Sequence, residues 1–459
     1  MNGHRFHPSI LRAYDIRGVV GDTLGEDDAQ ALGRTLGSVI RSHGGDSVVV
    51  GYDGRTSSPA LTPPLAEGLA ATGLTVKLIG LGPTPMLYYA VHALDADGGV
   101  MVTGSHNPAE YNGFKMMIGK KPVFDEQIQD LGRLAAAGDF TCGAGRIEAV
   151  TVVEGYVERL LRDLDGAALN VVWDTGNGAA GPVVEKLIRR LPGTHTLIYG
   201  EVDGTFPNHH PDPTEEKNLA DLKREVLENA ADMGLAFDGD GDRLGAIDGK
   251  GRVVWGDQIL SILAADVLRE VPGATIIADV KAGQKLFDRI AALGGKPLMW
   301  RTGHSVIKAK MAETQSPLAG EMSGHIFFAH RYYGFDDALY AAVRLLGAIA
   351  RQGGSLTALK SAMPKVADTP ELRIPCAEER KFAVVREVVE RLRARNADFT
   401  DIDGARVNTK DGWWLLRASN TQAALVARCE GRNKAALARL KAALAAELTA
   451  SGLAPPADF

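Results

Sequence analysis

Cysteine is scarce in this chain. Cys142, Cys376 and Cys429 are the whole supply, an odd number at wide spacing with no C-x-x-C pair. That excludes a disulfide framework and a zinc knuckle and points to reduced, structural thiols. Long apolar runs are missing too: none reaches the ~18 residues that a membrane span needs. The opening segment carries Arg5, Arg12, Asp15 and Arg17 with no apolar block behind them, unlike a secretory signal, so the cytoplasm is the expected compartment. Positive charge is also short, with 51 Lys and Arg against 57 Asp and Glu and a net charge of -6. With no dense basic run, neither nucleic acid nor a membrane surface is an expected partner. Any anionic ligand must be gripped by Arg and Lys placed locally.

What is present is globular. The 459 residues are 45% hydrophobic and 24% charged, too long a chain for one core and enough for several domains of ~100 to 150 residues each. Internal repetition organises most of it. The stretches 48–54, 170–176 and 275–283 are β-branched runs that each reach an Asp (Asp53, Asp174, Asp279) and a Gly. Each predicts a buried strand. Apolar residues at helical spacing follow over 58–72, 181–191 and 284–293, and second strands are expected over 74–79, 195–199 and 296–300. Strand, helix, strand is the βαβ unit of a mainly parallel α/β sheet.

A third strand in each unit leads to a loop with unusual chemistry: 103–108, 238–243 and 321–325. Ligands collect at the carboxyl ends of strands in such sheets, so the three loops are expected to converge on one cleft. The last ~90 residues read as a smaller α+β domain. It has a short strand at 372–374, a charged helix over 378–394, two or three strands over 405–428 and a closing helix over 433–448. Pro and Asp near 364–370 mark the joint.

The loop Thr103-Gly104-Ser105-His106-Asn107-Pro108 lifts one hydroxyl out of the sheet edge, which makes Ser105 a candidate nucleophile beside the plainer reading of an ordinary turn. Asp238, Asp240 and Asp242 alternate with glycines, so three carboxylates can face one divalent cation, Mg²⁺ or Ca²⁺. An EF-hand would need Gly at Arg243 and Glu at Gly249, and fails. Mg²⁺ takes its remaining oxygens from phosphate or water, which predicts a phosphate nearby. Glu321, Ser323 and His325 on a glycine-flexed loop suit the vicinal hydroxyls of a sugar, or a capping role. Arg417, Ser419, Asn420 and Thr421 lie between two expected strands and form either a phosphate cradle or a hairpin turn. One motif points elsewhere: Gly176, Gly178 and Gly181 fit G-x-G-x-x-G, with Glu201 at the distance of a ribose-binding acid. The same strand-turn-helix geometry recurs at Asp53 and Asp279 without those glycines, so packing of a repeated unit explains it equally well.

These four loops in this order resemble the α-D-phosphohexomutase superfamily, and within it the phosphomannomutase/phosphoglucomutase enzymes, over essentially the whole chain. The resemblance implies three successive mixed α/β domains of related topology and a smaller C-terminal α+β domain around a central cleft, here set at 1–150, 151–253, 254–366 and 367–459. It implies exchange of hexose 1-phosphate and 6-phosphate, of mannose or glucose, through a hexose 1,6-bisphosphate that also serves as activator. By position, Ser105 would carry a covalent phosphate, and Asp238, Asp240 and Asp242 would hold Mg²⁺ together with an oxygen of that group. Glu321 and Ser323 would grip the sugar 3- and 4-hydroxyls, and Arg417, Ser419, Asn420 and Thr421 the remote phosphate. Tyr14, Arg17, Lys115, Arg243, Lys281, His304 and His325 correspond to further cleft residues. Lys115 or His304 would move the hydroxyl proton, the choice left open, and His304 could instead cap a helix starting near Ser305. The alternatives are a phosphoglucosamine mutase, disfavoured by Met322 through resemblance only, a Mg²⁺-dependent sugar phosphatase, and a non-catalytic sugar-phosphate binder. A monomer acting on small hexose phosphates is expected.

Overall fold

The computed structural model describes residues 3–166, 168–420 and 422–456. The three β-branched runs form the strands Ser47–Tyr52, Leu169–Asp174 and Thr275–Asp279, largely buried because helices cover the faces of a parallel sheet. The helices that follow are Ser58–Ala70, Gly181–Ile188 and Gln284–Ala292, each ending earlier than its apolar spacing predicts. At the first, Thr72 leaves the helix and its hydroxyl donates to Leu69 O at 2.7 Å, a local bond that competes with another helical turn. The second strands, Thr75–Leu81, Gly193–Ile198 and Lys296–Trp300, run parallel to the first.

Third strands, Gly98–Val102, Met233–Phe237 and Leu318–Gly320, add in parallel on the other side. Each then reverses into an antiparallel partner, Tyr111–Ile118, Leu244–Asp248 or Ile326–Phe328. All three sheets therefore share the order second, first, third, fourth. The hairpin return makes the sheets mixed, and it fixes where the chemistry sits: each of the three loops joins a third strand to its fourth. In the first sheet Ile16–Val19 and Arg146–Ala149 add at opposite edges.

The C-terminal region forms its own antiparallel sheet, with Ala405–Thr409, Gly412–Ala418 and Ala424–Gly431 in sequence. Leu372–Pro375 pairs with the last of these, and so does Ala367–Asp368, so the joint already contributes a strand to this sheet. Helices Glu378–Ala394 and Lys434–Ala450 complete it, the second capped by Asn433, whose side chain accepts from Ala436 N. The hydrophobic cores divide unevenly. One continuous cluster runs through the first three sheets and their helices, joining Val49 and Leu87 to Trp173, Leu235, Leu260, Ala278 and Leu345. The fourth sheet packs a separate cluster around Val384, Val388, Trp414, Leu416 and Leu444. Val280, Trp413 and Leu415, with Met299 against them, form a small apolar contact between the third and fourth. Cys376 and Cys429 are buried free thiols, while Cys142, read as structural, is exposed.

Candidate active site

The loops of all four sheets open on one cleft of about 640 Å³. Its walls bring together Tyr14, Arg17, Ser105, Lys115, Arg243, Lys281, His304, Glu321, Ser323, His325, Arg417, Ser419 and Asn420. Thr421 lies outside the described residues. Asp238, Asp240 and Asp242 are fully buried and meet the cleft through Ser105 and Lys115, which bond Asp238 and Asp240.

Ser105 sits at the turn after the buried strand Gly98–Val102. Its backbone is left-handed, with φ +51°, and its hydroxyl donates to Asp238 Oδ2 at 3.0 Å. The His106 ring nitrogen Nδ1 lies 3.2 Å from the same hydroxyl. The other oxygen of Asp238 accepts from the backbone N–H groups of Asp242 and Arg243, both at 3.0 Å. Asp240 accepts from Thr84 at 2.5 Å and from Lys115 Nζ at 2.7 Å, and Lys115 also donates to Asp242. Two oxygens, Oδ1 of Asp240 and of Asp242, are buried with no hydrogen-bond partner, and one oxygen from each of the three carboxylates falls within 4.8 Å of the others. Orphaned hard donors this close repel one another unless a cation sits among them. The donor set therefore fits a divalent ion.

Electrostatics sort the titratable groups. Burial would lower the Lys115 ammonium, but Asp240, Asp242 and Asp238 outweigh it and raise its pKa, so it stays charged. Burial, with Lys308 second, holds His304 well below the usual imidazole range. Burial also raises Asp238, with Asp242 and Asp240 adding to it, as expected of like charges crowded without a metal. His304 is the first residue of the helix His304–Thr314 and the cap position is Gly303, so His304 does not cap that helix.

Glu321 takes the Gly303 N–H at 2.5 Å, which ties the third loop to this helix start. Arg243 Nε donates to His325 Nε2 at 3.1 Å, and His325 Nδ1 lies 3.2 Å from Asp336 Oδ2, though among the described residues neither Nδ1 nor Oδ2 makes a hydrogen bond. Arg243 and His325 also form a backbone bridge, locking the second and third loops together. Opposite, Arg417 Nε donates to Asp403 at 2.9 Å, Tyr14 donates to Thr302 O at 2.6 Å, and Asn420 bonds the Tyr14 hydroxyl. Lys281 reaches Glu371 at 3.0 Å. The glycine motif at 176–181 is filled by protein. A Cβ on Gly178 would lie 2.8 Å from Gly239 O, one on Gly181 would lie 2.0 Å from Gly200 O, and Ala179 N–H already donates to Gly239 O. Close packing accounts for these glycines, and the Glu201 carbonyl is taken by Asn177.

The chain matches family models in four consecutive pieces, described as phosphoglucomutase/phosphomannomutase alpha/beta/alpha domain I over residues 8–141, domain II over 154–251, domain III over 255–366 and the C-terminal domain over 371–447. It is 44% identical over 452 residues to a phosphomannomutase/phosphoglucomutase of Pseudomonas aeruginosa, covering 98% of each chain. The chain belongs to the α-D-phosphohexomutase superfamily. It is accordingly an enzyme of the phosphotransferring mutase class. A phosphomannomutase/phosphoglucomutase of Pseudomonas putida is 47% identical over 434 residues, 94% of each chain. The crystal structure of a phosphoglucomutase/phosphomannomutase family protein from Burkholderia thailandensis superposes with a TM-score of 0.91 at 42% identity, covering 97% of this chain and 98% of that one.

Several polar residues that shape the site escaped the sequence reading. His106, Glu371 and Arg373 line the cleft. Asp336 and Asp403 stand behind His325 and Arg417. For His106 the signal was its place beside Ser105; for the others no local pattern distinguishes them from surface charges.

Proposed function

We propose that the enzyme interconverts the 1-phosphate and 6-phosphate of glucose and of mannose, with Ser105 Oγ carrying the phosphoryl group and a hexose 1,6-bisphosphate as intermediate and activator. The observation that carries this reading is Ser105 Oγ, 3.0 Å from Asp238, in a cleft whose other wall presents Arg417 and Asn420. A sugar bisphosphate is two anions on a short spacer, and this cleft has an anion-handling end for each. Asp238, Asp240 and Asp242 would hold Mg²⁺ together with the group on Ser105. When bound, Mg²⁺ would neutralise charge on the transferring phosphoryl oxygens. Lys115 and Arg243 add fixed positive charge at the same place.

In the first half-reaction the P–O bond to Ser105 Oγ breaks as one forms to the free sugar hydroxyl, whose proton passes to Nε2 of His325 as Arg243 Nε–H, which that nitrogen otherwise accepts, turns to the phosphoryl oxygens. In the second, the other phosphoryl group moves onto Ser105 Oγ and the proton returns to the oxygen left behind. Lys115 and His304 are the other candidates for that proton. His325 has a carboxylate 3.2 Å from Nδ1, a charge that favours the protonated ring, and His304 stands beside it with ring centres 5.7 Å apart. Glu321 and Ser323 take the sugar 3- and 4-hydroxyls, while Arg417, Ser419, Asn420 and Thr421 grip the remote phosphate, helped by Tyr14, Arg17 and Lys281. Because glucose and mannose share their 3- and 4-configuration, both epimers are substrates.

We place the enzyme in the cytoplasm as a monomer. Among the described residues no helix is long and apolar enough to cross a membrane, and one chain supplies every wall of the cleft. The test is a coupled assay with glucose 1-phosphate and mannose 1-phosphate, with and without the bisphosphate, with inorganic phosphate followed in parallel. Turnover of both sugars without phosphate release is expected, with Ser105→Ala slower by about 10³-fold or more and the parent protein heavier by one phosphate on intact mass. A fully active Ser105→Ala protein, or phosphate released in step with sugar consumed, would overturn the reading.

A further inference from the structure

We propose that Arg55 is a positioning residue for Ser105: its guanidinium pins the backbone of the loop so that the hydroxyl points at the carboxylate cluster. The inference rests on the reading of Ser105 as phosphoryl carrier and adds the residue that holds the carrier in place.

Arg55 is buried, with 1% of its surface exposed. Nη1 donates to Pro108 O at 2.5 Å and Tyr111 O at 2.9 Å, and Nη2 donates to Ser105 O at 2.7 Å and Asn107 O at 2.6 Å. One planar cation thus gathers three carbonyls of the loop and that of Tyr111, where the next strand begins, a task for which its rigid fork is suited and an ammonium is not. The loop's donors go elsewhere. Asp53 takes the Gly104 N–H at 3.1 Å and the Thr103 hydroxyl at 2.8 Å, and that hydroxyl oxygen accepts the Ser105 N–H at 2.8 Å. Asp53 lies 3.3 Å from Arg55 Nε. Donors on Asp53 and acceptors on Arg55 leave the loop little freedom.

The clamp has strain to hold. Ser105 has φ +51°, a region that residues with a Cβ keep only when their surroundings over-determine it. Its peptide is closed in on both sides. A Cβ on Gly104 would meet Arg55 Nε at 2.3 Å, so the chain lies directly on the guanidinium, and a Cβ on Gly239 would meet Ser105 O at 2.5 Å. Without Arg55 the peptide can relax toward an ordinary conformation, which swings Oγ away from Asp238. Phosphoryl transfer depends mainly on alignment, so the chemical step suffers while the sugar contacts, which lie on other loops, do not.

The experiment compares Arg55→Lys, Arg55→Ala and Ser105→Ala with the parent in steady-state kinetics, circular dichroism and thermal melting. Arg55→Lys is expected to lower kcat by about 100-fold with KM within about threefold and an unchanged spectrum. Free guanidinium at millimolar concentration is expected to restore Arg55→Ala by about tenfold or more where methylammonium does not. A kcat for Arg55→Lys within about threefold of the parent, or a loss matched by the unfolded fraction, would overturn the proposal. If Ser105→Ala remains active, the carrier reading itself fails. If Ser105→Ala is dead and Arg55→Lys is fully active, only the positioning role fails.

Discussion

Lys115 shows burial and charge competing at one side chain. Withdrawal from water works against its ammonium, the surrounding aspartates work for it, and the aspartates prevail. For His304 burial and Lys308 outweigh the opposing pull of Asp336, and the ring is kept neutral. A fixed cation and a neutral imidazole are different tools, and His325, with Asp336 behind it, is a third. We expect His325→Ala to lower kcat by about 10² to 10⁴-fold with KM little changed, and His304→Ala to cost less. Steady-state kinetics of the two variants check this, and the opposite ranking would move the proton to His304. Ser105 and Asp240 were legible in the sequence because each stands in a glycine-containing turn at the end of a buried strand, and Arg417 because it leads into the polar turn that follows the strand Gly412–Ala418. Arg55, Asp336 and Asp403 were not, since each acts on a partner far along the chain and nothing local separates a buried charge from a solvated one.

The helix Thr84–Ala93 shows how an element serves two masters. At its start Thr84 N–H donates to Asp240 O at 2.8 Å and the Thr84 hydroxyl to the Asp240 carboxylate, so the helix props the triple-aspartate loop of the second sheet. Near its end His92 stacks on Tyr333 of the third unit with ring centres 4.6 Å apart. Burial, with Lys120 second, lowers the His92 pKa from 6.5 to about 4. An imidazole depressed on folding gives stability that is complete above pH 6.5 and is lost as the pH falls toward the folded value, because the unfolded chain takes up the proton first. The melting temperature is therefore expected to fall between pH 6.5 and about 4, and His92→Phe, which keeps the stack and loses the proton, should fall less steeply. Equal slopes for the two proteins would contradict this. The strand-helix-strand repeat was readable from periodicity, but these docking contacts were not, because Thr84 and His92 read locally as an ordinary helix start and end.

On the scale of the whole molecule, the first three units each bury one sheet face in a cluster of their own and the other in a cluster common to all three, while the fourth keeps its own. Apolar burial is the main source of cooperativity, so units that share it melt together. Calorimetry is expected to resolve two transitions, the smaller belonging to the C-terminal sheet, and a single two-state peak would show that the polar seam between third and fourth couples them fully. That seam is held largely by arginines, with Arg406 donating to Val280 O and Ala282 O and Arg428 to Lys281 O. The sequence announced a separate last domain through its change of pattern, but the fusion of the other three was hidden, because a shared core is a property of packing among distant helices. The uneven division of the core also says how the polypeptide would come apart under a protease. A nick near 150 or 254 leaves fragments gripped by common oil, still travelling as one particle. A cut between 364 and 370 frees a piece held largely by a small oily patch and by guanidiniums plugged into neutral carbonyls, so mild urea, more than salt, should be enough to wash it away.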